Sequence, residues 1–505
     1  MNSTVTGGTQ KAHDCTQRKR AKHTRSRLGC RVCRIRRIRC DLNMPTCLKC
    51  STTGRRCEWY SLRDDLATPS IPSQEVSRTF SPGDLWEHRA LQYFQSETML
   101  QFAGHFEGDF WCQLVLQAST REPCVRHVIV ALSSLHEAYR NTALLTTGFF
   151  AYNHLQLQAD YYYAGTISRL NEHIRTQGWK GLDIILLCCA LCVGFEWLRG
   201  CYTAAEAHLR NGLKLLGQWA DTRSSVSGGI SYTSPAGHLI RSQIAPILVR
   251  LALQARTNVT TPLPCASALV GDNPTKTFSS LKAASNELDV LLSNVFLRSD
   301  TFSPGEPKPP LKKMRQMEFS DRLAKWYRDH AYYLYEPISE RAAALPNLIL
   351  TSSYITLTIM VNTNACDQMQ FDQFLPQFHT IVELAEKICT SDSNRFSIDI
   401  EIVPVLYYVA YRCRDPEIRR KAVALLNLGP RREGLWDGLS TSRLAQEIVN
   451  IEEESSEFVR EARDVCAGAR VRRLRTQTCL NQRRIALSFM RQGESTWSSE
   501  RILHW

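Results

Sequence analysis

Two cysteine triplets with the same internal spacing lie near the N-terminus of this 505-residue chain. Each triplet has two residues between its first and second cysteines and six between its second and third. The second triplet repeats the first with an offset of 17 residues, and the six positions are Cys30, Cys33, Cys40, Cys47, Cys50 and Cys57. A repeat of this kind indicates two copies of one metal-binding unit.

Zinc is the metal that this ligand set favours, because thiolates are soft ligands that zinc takes in tetrahedral geometry. Two tetrahedral ions need eight ligand positions in total. Six sulfurs can fill them only if two of the sulfurs each bind both ions. The segment 30–57 is too short to bury a useful core. We therefore expect two zinc ions per chain to supply the folding free energy of this segment.

The net positive charge of the chain is concentrated in the same region. Residues 1–57 contain fifteen lysines and arginines against Asp14 and Asp41, whereas the remaining residues contain 47 charges of each sign. The net charge of +13 therefore lies in the cysteine-rich segment and the arm before it. Localised positive charge predicts a polyanionic partner, and double-stranded DNA is the partner that we expect.

We expect neither secretion nor a membrane span. The first twenty residues are polar and lack the apolar core of a signal peptide. The longest apolar run, Ile184 to Phe195, has twelve residues, so it predicts a buried helix and not a span. A reducing compartment then favours metal binding over disulfides. The basic arm at 18–27 suits nuclear import or an extra phosphate contact, although a solvated tail has the same composition.

Composition divides the chain into four segments. They are a basic disordered arm at 1–29, the cysteine module at 30–57, a linker rich in proline and serine at 58–84, and a helical region at 85–505. In the last segment apolar residues recur at helical spacing, as at Ala205, Leu209, Leu213 and Leu216. The fold class that we predict is all-α, with a small zinc module, an extended linker and a large helical domain.

Two more residues accompany the cysteines. Asp41 follows the third cysteine, and Pro45 stands two residues before the fourth. With these residues and all six cysteines in place, the module resembles the binuclear zinc cluster of fungal transcription factors. The resemblance implies two short helix-plus-strand units related by a pseudo-twofold axis around two zinc ions. It also implies that Cys30 and Cys47, the first and fourth cysteines, are the bridging ligands.

In that family, basic residues between the second and third cysteines contact DNA and typically recognise a CGG-like triplet. This chain has arginine where lysine is common, at Arg36, Arg37 and Arg39, and arginine is the better bidentate donor to guanine O6 and N7. Arg36 and Arg37 are the candidates for base recognition, with phosphate contact as the alternative. The candidates for phosphate contact, with a solvated side chain as the alternative, are Arg34, Arg39, Lys49, Arg55 and Arg56. Two isoleucines are predicted to fill the interior of the module, Ile35 and Ile38.

The helical region is similar to the fungal-specific transcription factor regulatory domain. The stretches that carry the similarity are Ala90–Phe94, Phe110-Trp111, Glu122–His136, Ala205–Leu216 and Arg412–Trp436. The resemblance implies an all-α regulatory region and brings no catalytic residues with it. The chain also lacks the common phosphate-loop, metalloprotease, hydrolase and dinucleotide motifs, so we do not expect an enzyme.

Three features of the helical region have two interpretations each. The cysteines Cys188, Cys189, Cys192 and Cys201 are expected to be structural, with a second metal or redox site as the alternative. Trp326 and Trp436 are expected in the core in preference to a ligand cage. The segment 463–505, with nine arginines, is predicted to be a solvated basic helix, with a second nucleic-acid contact as the alternative.

These features together predict a sequence-specific DNA-binding regulator of RNA polymerase II genes in the nucleus. The alternatives are a helical small-molecule sensor, or an interaction scaffold in which the zinc module binds protein. The linker has prolines where dimerising relatives have heptads, so a homodimer would form through the helical domain; the other interpretation is a monomer. Transcription co-regulators are further expected partners.

Overall fold

A computed structural model describes the protein as two compact units, Met1–Thr79 and Phe80–Trp505. The described residues are 30–36, 38–41, 47–55, 82–144, 149–221, 230–256, 278, 280–299, 309–334, 344–364, 367–391, 396–454, 456, 458–479 and 482–505. The predicted basic arm and nearly all of the predicted linker lie outside these residues. The first helix of the larger unit nevertheless begins at Pro82, because proline is tolerated in the first helical turn.

The smaller unit contains two short helices, and the described part of the larger unit is mainly helical. The helices of the smaller unit are α1 (Arg31–Ile35) and α2 (Leu48–Ser51). The larger unit has α3 (Pro82–Tyr93), α4 (Met99–Ala103), α5 (Leu116–Arg121), α6 (Pro123–Leu144), α7 (Phe149–Gln177), α8 (Leu182–Arg199), α9 (Tyr202–Asp221), α10 (Pro235–Leu239), α11 (Ala245–Arg256), α12 (Leu281–Ser299), α13 (Pro309–Leu334), α14 (Ala344–Asn362), α15 (Leu375–Ser391), α16 (Val403–Arg412), α17 (Pro416–Leu426) and α18 (Gly438–Glu453). The predicted all-α fold class is confirmed.

A first hydrophobic cluster gathers the helices from α3 to α11 around α8, whose side chains from Ile185 to Leu198 are buried. The apolar run is therefore a buried helix, as predicted. By length and composition the helical segment His154–Arg199 could cross a membrane, but 89% of its most apolar window is buried inside the protein, as in a core helix. Cys188, Cys189 and Cys192 lie in this cluster, which agrees with the expected structural role.

A second cluster is formed by residues from α12 to α18 and includes the buried Trp326, whose Nε1 donates to the Ala284 carbonyl at 2.9 Å. A small sheet lies beside both clusters. Its strands are β1 (Phe396–Ser397), β2 (Arg432–Glu433), parallel to β1, and β3 (Trp436–Asp437), antiparallel to β2. Trp436 is half-buried and packs against both clusters.

The C-terminal segment is a sheet, so the predicted basic helix over 463–505 is wrong. Strands β4 (Val471–Cys479), β5 (Arg484–Arg491) and β6 (Arg501–His504) pair antiparallel in the order β4-β5-β6. Ile485, Leu487 and Phe489 alternate along β5 and pack in a third cluster with residues of α18. That period of two is the pattern of a strand with one buried face. The number of arginines in the segment, on which the helix prediction was based, does not distinguish a helix from a strand.

Candidate metal centre and nucleic-acid interface

Five of the six cysteines meet in the interior of the smaller unit. Helix α1 begins directly after Cys30 and contains Cys33, and α2 begins directly after Cys47 and contains Cys50. A C-x2-C pair thus spans the start of each helix, which turns both sulfurs of the pair toward the same point. Among the described residues of this unit, the buried side chains are these cysteines together with Cys40, and the half-buried Val32 packs against them.

The sulfur atoms are close enough to share metal ions. The Sγ–Sγ distance is 3.7 Å for Cys30 and Cys47, 3.7 Å for Cys30 and Cys50, and 3.6 Å for Cys33 and Cys47. Cys30, Cys33, Cys47 and Cys50 form one group whose ligand atoms all lie within 4.8 Å of one another, and Cys40 joins Cys47 and Asp41 in a second group. Cys47 belongs to both groups. The predicted ligand Cys57 lies outside the described residues.

The described cysteines form no disulfide, so their sulfurs are available as ligands. Burial raises the pKa of the Cys33 thiol to about 12, so without a metal this thiol keeps its proton at neutral pH. Zinc supplies the positive charge that allows such thiols to ionise, and its binding releases their protons. Soft sulfur donors at this density therefore fit a zinc centre.

Asp41 links the two halves of the smaller unit. Its Oδ2 accepts a hydrogen bond from the Leu48 amide at 3.0 Å, and its Oδ1 accepts one from the Lys49 amide at 3.4 Å. These amides lie in the first turn of α2, where N–H groups have no partner within the helix. Asp41 therefore caps α2 from the other half of the unit. The sequence showed this residue only as a family match, because a capping contact across seven residues has no periodic signature.

The arginine-rich segment follows α1, and the candidates within it differ in their surroundings. The Nη1 of Arg36 donates to the Lys49 carbonyl at 3.3 Å and to the Thr53 hydroxyl at 3.2 Å. Arg36 thus connects the end of α1 with the end of α2. Arg39 and Lys49 are exposed. Arg37 and the side chain of Arg34 lie outside the described residues.

The predicted interior position of Ile35 and Ile38 is wrong. Ile35 is 70% exposed and Ile38 38% exposed. In the described part of this unit the buried side chains are cysteines, so its interior is built on sulfur and not on apolar side chains. Asp41 is the one acidic residue among the described positions of this unit, and its carboxylate is engaged in capping α2. The exposed surface is accordingly basic with some apolar area, which suits contact with a DNA groove.

Two known domain families match the chain. Residues 28–66 match the fungal Zn(2)-Cys(6) binuclear cluster domain, and residues 89–253 match the fungal specific transcription factor domain. The second match covers much of the first hydrophobic cluster of the larger unit. No solved structure matches the chain.

Curated proteins similar to this chain include transcription regulators of fungi. The chain is 28% identical to the transcription regulator lscL of Purpureocillium lilacinum over 209 residues, which are 37% of this chain and 48% of that protein. It thus spans about half the length of that relative. It is 22% identical to the aspercryptin biosynthesis cluster-specific transcription regulator atnN of Emericella nidulans over 564 aligned positions, which are 86% of this chain and 88% of that protein.

A third relative matches over a short stretch. The transcription factor lfc1 of Flammulina velutipes is 50% identical over 46 residues, 9% of this chain and 16% of that protein. The cysteine module and the cluster family agree on the cofactor, which is zinc in a binuclear centre. Both parts of the predicted resemblance are confirmed, because one segment matches the fungal Zn(2)-Cys(6) cluster domain and another matches the fungal specific transcription factor domain. The predicted similarity at Arg412–Trp436 lies outside the second match, which ends at residue 253.

Proposed function

We propose that this protein binds specific DNA sequences through its zinc cluster and regulates RNA polymerase II genes in the nucleus. The observation that carries the proposal is that five cysteine sulfurs meet beneath a basic surface. The one carboxylate among the described residues of that surface, Asp41, is occupied in capping α2. A phosphate backbone attracts such a surface whatever its sequence, and base contacts then add specificity. The helical unit would serve as the regulatory region, with co-regulators as partners.

The proposed ligands are the six cysteines of the repeat, with Cys30 and Cys47 bridging the two zinc ions. Cys30 lies 3.7 Å from both Cys47 and Cys50, and Cys47 lies 3.6 Å from Cys33, so each proposed bridge contacts a cysteine of the other half. Cys57 would complete the second ion. Since each bridge serves both ions, Cys30→Ala or Cys47→Ala should lower the zinc content by two ions per chain.

Zinc content per chain, measured by mass spectrometry of the reduced full-length protein, checks this assignment. The control is Cys112→Ala, a half-buried cysteine of the larger unit, which should leave the zinc content unchanged. Loss of a single ion from Cys30→Ala and from Cys47→Ala would contradict the bridging roles.

For DNA recognition we propose that Arg37 reads a guanine of a CGG-like triplet. Arg36 already uses Nη1 to hold Lys49 and Thr53, so we assign it first to positioning the arginine segment, with its other N–H groups available to DNA. Arg34, Arg39 and Lys49 would contact phosphates. A bidentate arginine–guanine contact contributes about 1–3 kcal/mol of discrimination, whereas a phosphate contact strengthens binding to all sequences alike.

Selection of bound sequences from a random DNA pool, with the full-length protein, would give the triplet, the number of half-sites and their spacing. Two half-sites would indicate a homodimer, and a single half-site a monomer. In binding assays on the selected site, Arg37→Ala should lose about 1–3 kcal/mol of preference over a scrambled site. The matched variant Lys49→Ala should weaken both complexes equally. An equal loss on both DNAs for Arg37→Ala would make Arg37 a phosphate contact.

Salt dependence separates DNA binding from the scaffold alternative. Binding to DNA should weaken by about 0.9 log units per phosphate contact for each log unit of salt. If the selected DNA shows no such slope and a protein partner binds the zinc cluster instead, the DNA proposal fails.

A further inference from the structure

Three side chains of metal-ligand type meet in the larger unit, far along the chain from the cysteine cluster. They are Glu122, Cys124 and His173, and one ligand atom of each lies within 4.8 Å of those of the other two. Among the described residues, the other groups of potential metal ligands lie in the N-terminal cysteine cluster. The group lies outside residues 28–66, which match the zinc cluster domain, and Cys124 is the one cysteine of α6.

The backbone holds the three residues at the junction of two long helices. Glu122 follows the last residue of α5 in an extended conformation, with φ −109° and ψ 109°, and Pro123 then opens α6. Cys124 is therefore in the first turn of α6, whereas His173 is in the last turns of α7. Because the start of α6 lies beside the end of α7, the two helices run antiparallel and bring residues about fifty positions apart together.

We propose that Glu122, Cys124 and His173 bind a further zinc ion. A thiolate, a carboxylate and a neutral imidazole carry two negative charges, which balance Zn²⁺ in a partly buried place. Three protein ligands with a fourth position open to water or another ligand is a common zinc arrangement. The sulfur is buried, while the Glu122 and His173 side chains are 30% and 14% exposed, so an ion can reach the site from solvent.

The contact between the two polar ligands also suits an ion. His173 Nδ1 and Glu122 Oε2 are 3.5 Å apart, which is long for a charged hydrogen bond but ordinary for two ligands of one metal. An exposed ion pair at that separation would contribute little by itself.

A second layer of contacts orients the ligands. The buried side chain of Cys188 on α8 is within hydrogen-bonding reach of the Cys124 side chain, so it helps to fix the position of the sulfur. On the other side of the imidazole, Gly181 lies directly against His173 Nε2: a Cβ at position 181 would stand 2.2 Å from that atom. Gly181 has φ −99°, which any residue adopts, so its small size is what matters here. The imidazole is thus held between Gly181 and the other two ligands.

The test is the zinc content of the full-length reduced protein after dialysis against zinc-free buffer. The wild-type chain should hold three ions, and Cys124→Ala or His173→Gln should each hold two. Gly181→Ala should also lose the ion, although it removes no ligand, because the added methyl group displaces the imidazole. The matched control is Cys189→Ala, which removes a neighbouring buried cysteine and should keep three ions.

The site can also be separated from the N-terminal cluster. In a chain that carries Cys30→Ala, one ion should remain, and replacing it by Co²⁺ should give the absorption of a cobalt–thiolate bond. That absorption should disappear when Cys124→Ala is added, while circular dichroism shows the helices intact. The proposal is overturned if the wild-type chain holds two ions, or if Cys124→Ala and His173→Gln leave the zinc content at three.

Discussion

Asp399 is a buried carboxylate whose surroundings favour its neutral form. Its Oδ1 accepts a hydrogen bond from Arg250 Nη1 at 3.2 Å, but the same nitrogen donates to Glu107 at 2.6 Å, and Arg250 Nε donates to Asp289 at 2.7 Å. The Oδ2 of Asp399 is buried without a hydrogen-bond partner. Burial, opposed by Arg250 and assisted by the neighbouring acids, raises the pKa of Asp399 to about 7.

This pKa predicts how stability depends on pH. Between pH 5 and 7 the folded protein keeps a proton on Asp399 that the unfolded chain releases, so the free energy of unfolding should fall as pH rises through this window. The contribution is of the order of 1 kcal/mol per pH unit and is complete above pH 7. Asp399→Asn should remove that part of the slope in urea unfolding, whereas Asn at the exposed Asp321 should not. Equal slopes for wild type and Asp399→Asn would contradict the prediction.

At the residue scale, the sequence predicted a site correctly where the chemistry of metal binding requires one residue type. A repeated cysteine spacing has few uses other than a metal centre, so the convergence of Cys30, Cys33 and Cys47 could be predicted. The buried partners of Arg250 could not, because Glu107 and Asp399 are more than 140 residues away in the chain. Ile35 was placed wrongly since hydrophobicity predicts burial only where an apolar interior exists.

At the scale of elements, the C-terminal sheet shows what the sequence contained and what it concealed. The alternation of Ile485, Leu487 and Phe489 could have predicted β5. The basic side chains of the segment suggested the solvated face of a helix, but they lie on strands. Their positions in the sequence show neither the period of a helix nor that of a strand. Helices were predicted more securely, since their apolar period extends over many turns, as in α9.

Glu452 joins three elements through one carboxylate. From α18 it accepts hydrogen bonds from Arg414 at 2.7 Å, from Arg419 of α17 at 2.8 Å, and from the Val471 amide of β4 at 2.7 Å. Both arginines and the glutamate are fully buried. Burial by itself would raise the pKa of Glu452, but Arg414 and Arg419 together lower it. The C-terminal sheet is therefore tied to the helices by a charged centre as well as by apolar packing.

Neutralising this carboxylate should be costly. Glu452→Gln would remove the carboxylate partner of the buried Arg414 and would leave Arg419 only the Glu453 carboxylate at 3.8 Å. The free energy of unfolding should fall by about 3–5 kcal/mol. The comparison variant is Glu386→Gln, which breaks the exposed pair with Lys421 and should cost about 1 kcal/mol or less. Urea unfolding followed by circular dichroism measures both, and similar losses for the two variants would count against the buried centre.

At the scale of the whole molecule, the two units are stabilised by different means. Where the structure describes the smaller unit, its buried side chains are cysteines, whereas the larger unit contains three hydrophobic clusters. The sequence predicted this division, because a segment too short to bury a useful core must fold on metal, whereas a long segment with helical periodicity need not. The architecture of the larger unit, in which β1 to β3 lie beside two clusters, depends on contacts between distant residues and was beyond the sequence.

Removal of zinc should therefore abolish DNA binding and leave the helical fold of the larger unit intact. Treating the reduced full-length chain with a chelator should release the cluster zinc and eliminate binding to the selected DNA site. The helical circular dichroism signal should hardly change, because α1 and α2 contribute only five and four residues to it. Added zinc should restore DNA binding, and magnesium, which prefers oxygen ligands, should not. A large loss of helical signal on chelation would contradict this prediction, because it would show that the larger unit also depends on metal for its fold.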